Sequence, residues 1–243
     1  MIRRLCALLG AENVYRNISV LLQMERDLPF ASTMVQALNL ILLTAPELTK
    51  CRNELKGMLG GQGGGSALFC TLYKSWCHSA GATLSLCLLA GVNHHCCDVI
   101  GVLGSLDINV SILMEIDRLV SLLESPIYSG LRLKLLEPAQ NPALCKAYYG
   151  ILAILPQSNA FNVLKARIQS MPSMELLQLN ALMQQKGSGG GNASSGWGLK
   201  GSLKDGGKEK HNADVNFAEL LNAFQHCQQR HIDFQSSIDQ PLL

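Results

Sequence analysis

The segment NPALCKAYYGILAILPQSNAFNVL, residues 141–164, carries a single charge, Lys146. It is too apolar to lie in water. It is also too interrupted to cross a membrane, because a spanning helix needs about 20 consecutive apolar residues and Pro156 cuts the run in two. At its start, Asn141 stands directly before Pro142, a capping side chain next to the residue best suited to the first helical position. A segment of this kind has to pack, and it predicts a protein of short, tightly packed helices.

The same punctuation recurs on either side. Prolines at 126, 142, 156 and 172 are spaced by about one helix and a turn, and Ser125-Pro126 repeats the cap-then-proline pattern. Thr44-Ala-Pro-Glu47 reads as a capping box, with Thr44 capping the Glu47 amide and Glu47 reaching back. Ile112, Ile116, Leu119 and Leu123 form one helical stripe, widened by Leu113 and Val120. Strand-like alternation is absent over any useful length. The expected fold class is all-α: an α-solenoid of HEAT-like stacked helical hairpins with a tethered C-terminal amphipathic helix. No clean sequence repeat is visible, so the solenoid is an inference of shape.

Hydrophobic residues make up 48% of the chain and charged residues 16%, against roughly 25% charged in an average soluble domain. Mean hydropathy is +0.17. The longest clean apolar runs, Ala147 to Leu155 and Ile41 to Leu43 with their flanks, are too short to span a bilayer. The surplus therefore calls for burial in protein, some of it between subunits or partners. A formal charge of +2 argues against nucleic acid, which requires clustered cations. The opening MIRRLCALLGAENVYRN has no long apolar core, so no signal peptide is expected. Nine cysteines (6, 51, 70, 77, 87, 96, 97, 145 and 227) form an odd set with no C-x-x-C pair, which fits a reduced cytosolic compartment. The sequons at Asn17, Asn109 and Asn192 then carry no weight.

Two glycine-rich breaks divide the chain. Residues 57–66 hold six glycines, and residues 186–211 hold nine glycines and five lysines. Both read as flexible linkers, too poor in apolar surface to order themselves. The expected organisation is an amino-terminal helical segment (1–56), the first linker (57–66), a helical core (67–185), the second linker (186–211), and a C-terminal helix and tail (212–243). In the last of these, Phe217, Leu220, Phe224, Cys227, His231 and Phe234 make a narrow apolar seam bordered by Leu221. That helix docks either on its own chain or on a neighbour.

Residues that suggest chemistry mostly fail on geometry. His94-His95-Cys96-Cys97 cannot converge on one tetrahedral ion, because adjacent helical side chains diverge by about 100°. No second ligand pair stands at a suitable distance from it. Cys77-His78 invites a thiol nucleophile and its base, but such partners are normally assembled by the fold and not by adjacency; no nucleophile elbow accompanies them. An unrelated helical enzyme using Cys77 and His78, or His95, is the alternative reading. The glycines at 60 to 65 follow no strand and precede no Gly-Lys-Ser/Thr, so they make no phosphate cradle. Glu115, Asp117 and Glu124 read as the polar face of a helix. Asp239-Gln-Pro-Leu-Leu243 matches a loose acidic dileucine pattern of the kind that arises by chance. Lys200, Lys204, Lys208 and Lys210 could meet a lipid surface at about 1 kcal/mol each, offset by Asp205 and Glu209. No catalytic, cofactor-binding or metal-binding residue is assigned.

Several phrases together resemble the carboxy-terminal part of the Vac-fourteen family of vacuole-morphology scaffolds: FASTMVQALNLILLTAPEL (30–48), CRNELK (51–56), LYKSWCHS (72–79), LSLCLLA (84–90), ESPIYSGLRLKLLE (124–137), NPALCKAYYGILAILPQSNAFNVLKARI (141–168) and FAELLNAFQ (217–225). The resemblance covers nearly the whole chain apart from the two glycine-rich stretches. It implies a non-enzymatic helical-repeat scaffold that assembles a FYVE-finger phosphoinositide kinase and a Sac-domain phosphoinositide phosphatase on endosomal and vacuolar (lysosomal) membranes. That complex controls phosphatidylinositol 3,5-bisphosphate. The resemblance further implies that this region self-associates into a homo-oligomer and binds the phosphatase, residues 67–185 included. Most of the family's long amino-terminal array, which binds the kinase, lies outside this sequence, so kinase contact is expected to be indirect. Membrane contact is expected to be peripheral, through the bound enzymes. The candidate interaction anchors are Leu133, Leu136, Tyr148, Leu152, Phe161, Phe217, Leu220 and Phe224, since large apolar and aromatic side chains dominate interface energetics. Each of them either faces a partner or fills this chain's own core.

Overall fold

The computed structural model describes residues 1–60, 64–106, 108–171 and 215–238. Among these residues the chain is all-α, with no strand. The helices are α1 (Ile2–Leu9), α2 (Ala11–Gln23), α3 (Leu28–Thr44), α4 (Thr49–Lys56), α5 (Gly65–Trp76), α6 (Ala80–Ala90), α7 (Asn93–Ser105), α8 (Val110–Leu123), α9 (Ser129–Lys134), α10 (Pro142–Ile154), α11 (Asn159–Gln169) and α12 (Phe217–Ile238). Short 3-10 turns at Pro46–Leu48, Met58–Gly60 and Pro126–Tyr128 join some of them. Neighbours stack as solenoid-like hairpins, α2 on α5, α6 between α7 and α8, and α10 on α7 and α11.

The centre of the stack is α6, AGATLSLCLLA, every residue of which is buried. A helix apolar on all sides belongs in a core, and this one is reached by α3, α4, α5, α7 and α8. Its N-cap, Ser79, accepts from the Ala82 amide. Its C-terminal end closes at Gly91, whose φ of 77° is the left-handed conformation that glycine adopts without strain. Close approach fixes what may stand at two other glycines. A Cβ on Gly81 would lie 2.7 Å from the Glu115 carbonyl oxygen on α8, and one on Gly150 would lie 2.8 Å from Cγ2 of Ile100 on α7. Four buried residues lock the layers. Asn39 Oδ1 accepts from Trp76 Nε1 at 3.2 Å and from Ser85 Oγ at 2.8 Å, and the Tyr128 hydroxyl donates to the Ser85 carbonyl at 2.8 Å.

Several helix starts fall where the punctuation predicts, with different cap chemistry. Pro142 and Pro126 do begin a helix and a 3-10 turn, but neither Asn141 nor Ser125 caps with its side chain. The Asn141 amide instead donates backward to the carbonyls of Lys134 and Glu137. The capping box at Thr44 does not form: Thr44 is still inside α3, its hydroxyl donates to the Leu40 carbonyl, and Glu47 pairs with Arg3 at 2.8 Å. The α8 stripe is buried as expected at Ile112, Ile116, Leu119, Val120 and Leu123. The flanks of the first glycine-rich stretch are packed, with Met58 buried and Gly65 buried in the first turn of α5. Residues 61–63, the second linker at 186–211 with its lysines, Pro172, and the Asp239–Leu243 tail lie outside the described residues.

A structural repeat is present where no sequence repeat is visible. LLTAPELTKCRNEL (42–55) and LLESPIYSGLRLKL (122–135) each run from the end of a long helix through a proline-started 3-10 turn into a short helix. In both, an arginine reaches back to two carbonyls. Arg52 Nη1 donates to Leu42 and Ala45 at 2.8 and 2.7 Å, and Arg132 Nη1 donates to Leu123 and Ser125 at 2.5 and 2.7 Å. The orphan carbonyls at the ends of α3 and α8 are thus satisfied in the same way. Leu48 and Tyr128, and Leu55 and Leu135, are buried at matching positions.

Gly81→Ala should lower stability by about 1–3 kcal/mol, because the added methyl meets backbone that cannot yield. Gly130→Ala, where nothing lies within 4 Å, should be neutral or stabilising by up to about 1 kcal/mol. Urea denaturation of the two variants beside the parent chain checks the contrast.

Candidate functional site

The eight candidate anchors divide sharply by burial. On the short helix α9, Leu131 faces the core and Leu133 is 66% exposed; just beyond the helix, Leu135 is buried and Leu136 is 53% exposed. Tyr148 is 1% exposed on the face of α10 that carries Leu144, Ala147 and Ile151, so it is a core residue. Leu152 and Phe161 are half-buried against the same core, with the Lys165 ammonium 5.8 Å from the Phe161 ring centroid. On α12, Leu220 and Phe224 are buried, and Phe217 lies half-buried between Phe69 and His95, 6.5 and 5.0 Å from their ring centroids. Helix α12 therefore docks on α5 and α7 of its own chain. Of the eight, Leu133 and Leu136 are the two that present large apolar surface to solvent. Further exposed apolar side chains are Leu8 and Leu9 on α1, Leu21 on α2 with Met24 after it, and Val110 and Met114 on α8.

A groove of about 340 Å³ opens between α3, the start of α6 and α8, walled by Leu40, Leu119 and Leu122. At its polar end, Glu115 Oε2 accepts from Ser79 Oγ at 2.9 Å and from the Gly81 amide at 3.1 Å, while Oε1 accepts from Gln36 Nε2 at 2.9 Å. Arg118 donates to the other end of Gln36 at 3.1 Å. Glu115 thus belongs to the fold, as a carboxylate set at the N-terminus of α6, where amides and dipole both favour negative charge. Burial still prevails and holds its carboxyl above the ordinary range, against the pull of the Gly81 amide and Ser79. The other two carboxylates act structurally too: Asp117 on α8 accepts from Ser158, and Glu124, directly after α8, pairs with Arg167.

Cys77 and His78 are adjacent in sequence but turn apart. The Cys77 thiol donates to the Tyr73 carbonyl at 3.1 Å, and burial, with Cys227 beside it, pushes its pKa well up. A buried neutral thiol of this kind is not an activated nucleophile. The four residues from His94 also diverge. His95 Nε2 meets the Tyr73 hydroxyl at 2.9 Å, Cys96 is buried, and the Cys97 thiol donates to the Ala143 carbonyl at 3.2 Å. Burial lowers the His95 pKa to about 4, so this imidazole is neutral.

One cluster was not anticipated. His78, at the turn between α5 and α6, places Nδ1 3.0 Å from His231 Nε2 and 3.5 Å from Cys227 Sγ, both on α12. Gln228 on the same helix donates to the Cys77 carbonyl at 2.7 Å and clamps that turn. The signal was present in the sequence as Cys227 and His231 four apart on a helix, but the apolar seam claimed both residues.

Fold and surface define an all-α protein of stacked helical hairpins with apolar side chains on display. Residues 1–171 match the family model described as "Vacuolar protein 14 C-terminal Fig4p binding". The chain is 45% identical over 240 residues to the Protein VAC14 homolog of Arabidopsis thaliana, covering 95% of the chain and 31% of that protein. It is 43% identical over 169 residues to the Protein VAC14 homolog of Schizosaccharomyces pombe, covering 70% and 20%. To the Vacuole morphology and inheritance protein 14 of Saccharomyces cerevisiae it is 34% identical over 171 residues, covering 70% and 19%. The chain belongs to the vacuolar protein 14 family and corresponds to its C-terminal region. It spans from about a fifth to a third of the length of these relatives. No solved structure matches it.

A carboxyl whose folded pKa is raised contributes stability that is full below its unfolded value and is lost as pH rises through the folded one. For Glu115 that window begins at 4.5 and extends upward. Glu115→Gln should therefore flatten the decline of stability from about pH 4.5 to 7, read as denaturation midpoints across that range. Glu115→Ala, which unties the start of α6, should cost about 1–3 kcal/mol.

Proposed function

We propose that this chain is a non-catalytic scaffold or regulatory region that self-associates and docks a Sac-domain phosphoinositide phosphatase. The setting is the complex that controls phosphatidylinositol 3,5-bisphosphate, held peripherally on endosomal and vacuolar or lysosomal membranes through the bound enzymes. Contact with the FYVE-finger kinase is indirect for this region. The observation that carries the reading is the family match over residues 1–171, from α1 to α11, to a model whose description names Fig4p binding. Fig4p is read as the phosphatase of the resemblance.

The surface supports it. Leu133 and Leu136 stand out from a helix whose own packing needs are met by Leu131 and Leu135, so they are free to bury area against a partner. Among the described residues, no single helix is long and apolar enough to cross a membrane. The pair that passes together by composition, α3 with the Pro46–Lys56 segment, is bent by 83° and buries Val35, Leu38, Leu42, Leu48 and Leu55 in the core. Catalysis through Cys77 and His78 is disfavoured by the buried, neutral thiol.

The double variant Leu133→Asp/Leu136→Asp should fold as the parent does, since both side chains are more than half exposed, and should lose at least about tenfold in affinity for the purified phosphatase, equivalent to about 1.4 kcal/mol. Biolayer interferometry beside circular dichroism reads both halves. Full affinity in the variant would remove α9 from the interface, and a parent chain that fails to bind the phosphatase would overturn the reading itself. For self-association, light scattering should give a mass above the 26.3 kDa of one chain.

A further inference from the structure

We propose that His78, Cys227 and His231 form a zinc-binding site that staples α12 to the turn between α5 and α6. The three donor atoms all lie within 4.8 Å of one another. A tetrahedral zinc with bonds of about 2.05 Å to nitrogen and 2.3 Å to sulfur sets its ligands roughly 3.3 Å (N···N) and 3.6 Å (N···S) apart. The corresponding separations here are 3.0 Å for His78 Nδ1 to His231 Nε2 and 3.5 Å for His78 Nδ1 to Cys227 Sγ. An ion would need to spread these two pairs by a few tenths of an ångström and to bring the third, Cys227 Sγ and His231 Nε2, which lie within 4.8 Å, to about 3.6 Å, adjustments that side-chain rotation can supply.

The framework around the cluster suits a site. Cys227 and His231 share one face of a helix at a spacing of four, the arrangement by which helical ligand pairs hold zinc. The third ligand comes from a turn held on both sides, by the Ser79 cap of α6 and by the Gln228 bond to the Cys77 carbonyl. His78 and Cys227 are buried and His231 is half-buried, so water competes weakly while an entry path remains.

Protonation state favours the two imidazole ligands and is a cost at the thiol. Burial lowers the pKa of both imidazoles, to about 4 for His231, with Arg230 and, for His231, His78 adding to the effect. Both are therefore neutral, the form that ligates. Burial raises the Cys227 thiol to about 11, with Arg230 pulling it down, so zinc binding must displace one proton from Cys227 to solvent and leave a thiolate on the metal. Two neutral imidazoles and one thiolate leave the fourth position of a tetrahedral ion to water. In chemistry these are a borderline-soft donor set that favours zinc over the hard cations magnesium and calcium.

The consequence is structural. Besides this cluster, the contacts that hold α12 include buried Leu220 and Phe224, the Phe217 ring contacts, the Gln228 bond to Cys77, the Lys74–Glu219 pair and the Asn109–Gln235 bond. A zinc bridge would add a metal-dependent anchor at its middle, joining residues far apart in sequence.

The full chain, stripped of metal and kept reduced without a chelating thiol, is titrated with cobalt(II) and then zinc. The expected result is one equivalent of cobalt giving the visible bands of a tetrahedral ion and a thiolate-to-cobalt charge-transfer band in the near ultraviolet, all bleached by one equivalent of zinc. Cys227→Ser should abolish the charge-transfer band, and Cys70→Ser, at a half-buried thiol elsewhere, should leave it. His231→Gln should weaken zinc binding by more than about a hundredfold, beyond the 10–100-fold that loss of an outer-shell partner costs. His231→Cys, which exchanges one ligand for another, should keep binding and intensify the band, separating ligand loss from misfolding. Zinc should also slow amide exchange across residues 217–238. A chain without the charge-transfer band, a band that survives Cys227→Ser, or exchange in α12 indifferent to zinc would each overturn the proposal and leave a simple imidazole–imidazole hydrogen bond.

Discussion

A helix buried on every side must find partners for its ends inside the protein, and that requirement organises this fold. Helix α6 cannot send its first amides to water, so Ser79 caps one and the Glu115 carboxylate, carried by α8, takes another. The approach of α8 needed for this leaves no room for a side chain at Gly81. At the other end, Gly91 turns left-handed and the Val92 amide closes onto the Cys87 carbonyl at 3.1 Å, releasing the chain toward α7. The buried polar links through Asn39, Ser85 and Tyr128 then set the positions of α3, α5 and the turn after α8 around it. Such links stabilise only when every member is satisfied.

The two arginine turns extend the same logic to the flanks. Arg52 and Arg132 each donate to carbonyls at the end of a long helix, where the helix itself leaves acceptors unpaired. Few residues match between the two segments beyond the leucines, the proline and the arginine. The resemblance lies in the path of the chain and in an arginine that reaches back to the end of the preceding helix, with the Ala45 and Ser125 carbonyls bonded at matching positions, a relation between atoms that one-letter comparison does not weigh. A solenoid can thus be built of equivalent units while its sequence looks unrepeated.

Exposed surface and buried core draw on the same apolar residue types in this chain. Leu131 and Leu133 are both leucines on one short helix, yet one is packed and the other is exposed. On α10, Tyr148 points into the stack and Tyr149 outward. Part of the apolar surplus that suggested external partners is absorbed internally, most of all by α6. Among the described residues, the large apolar side chains left outside are spread over several helices, and Leu133 and Leu136 are the candidate anchors among them.

The all-α class, the helix starts at Pro126 and Pro142, the α8 stripe and the family resemblance were legible in the chain alone, because periodicity, proline and local capping act over a few residues. Adjacency likewise sufficed to argue against a shared ion at His94 to Cys97, since a helix splays neighbours apart whatever surrounds it. The backward turn of the Asn141 amide, the failure of the Thr44 box and the burial of Tyr148, Leu220 and Phe224 were decided by packing, where a distant group outbids the nearest one. Most of all, the meeting of His78 with Cys227 and His231 belongs to tertiary structure. It joins positions about 150 apart, a distance over which no local rule operates and which is closed by the docking of α12 against the turn that α6 begins.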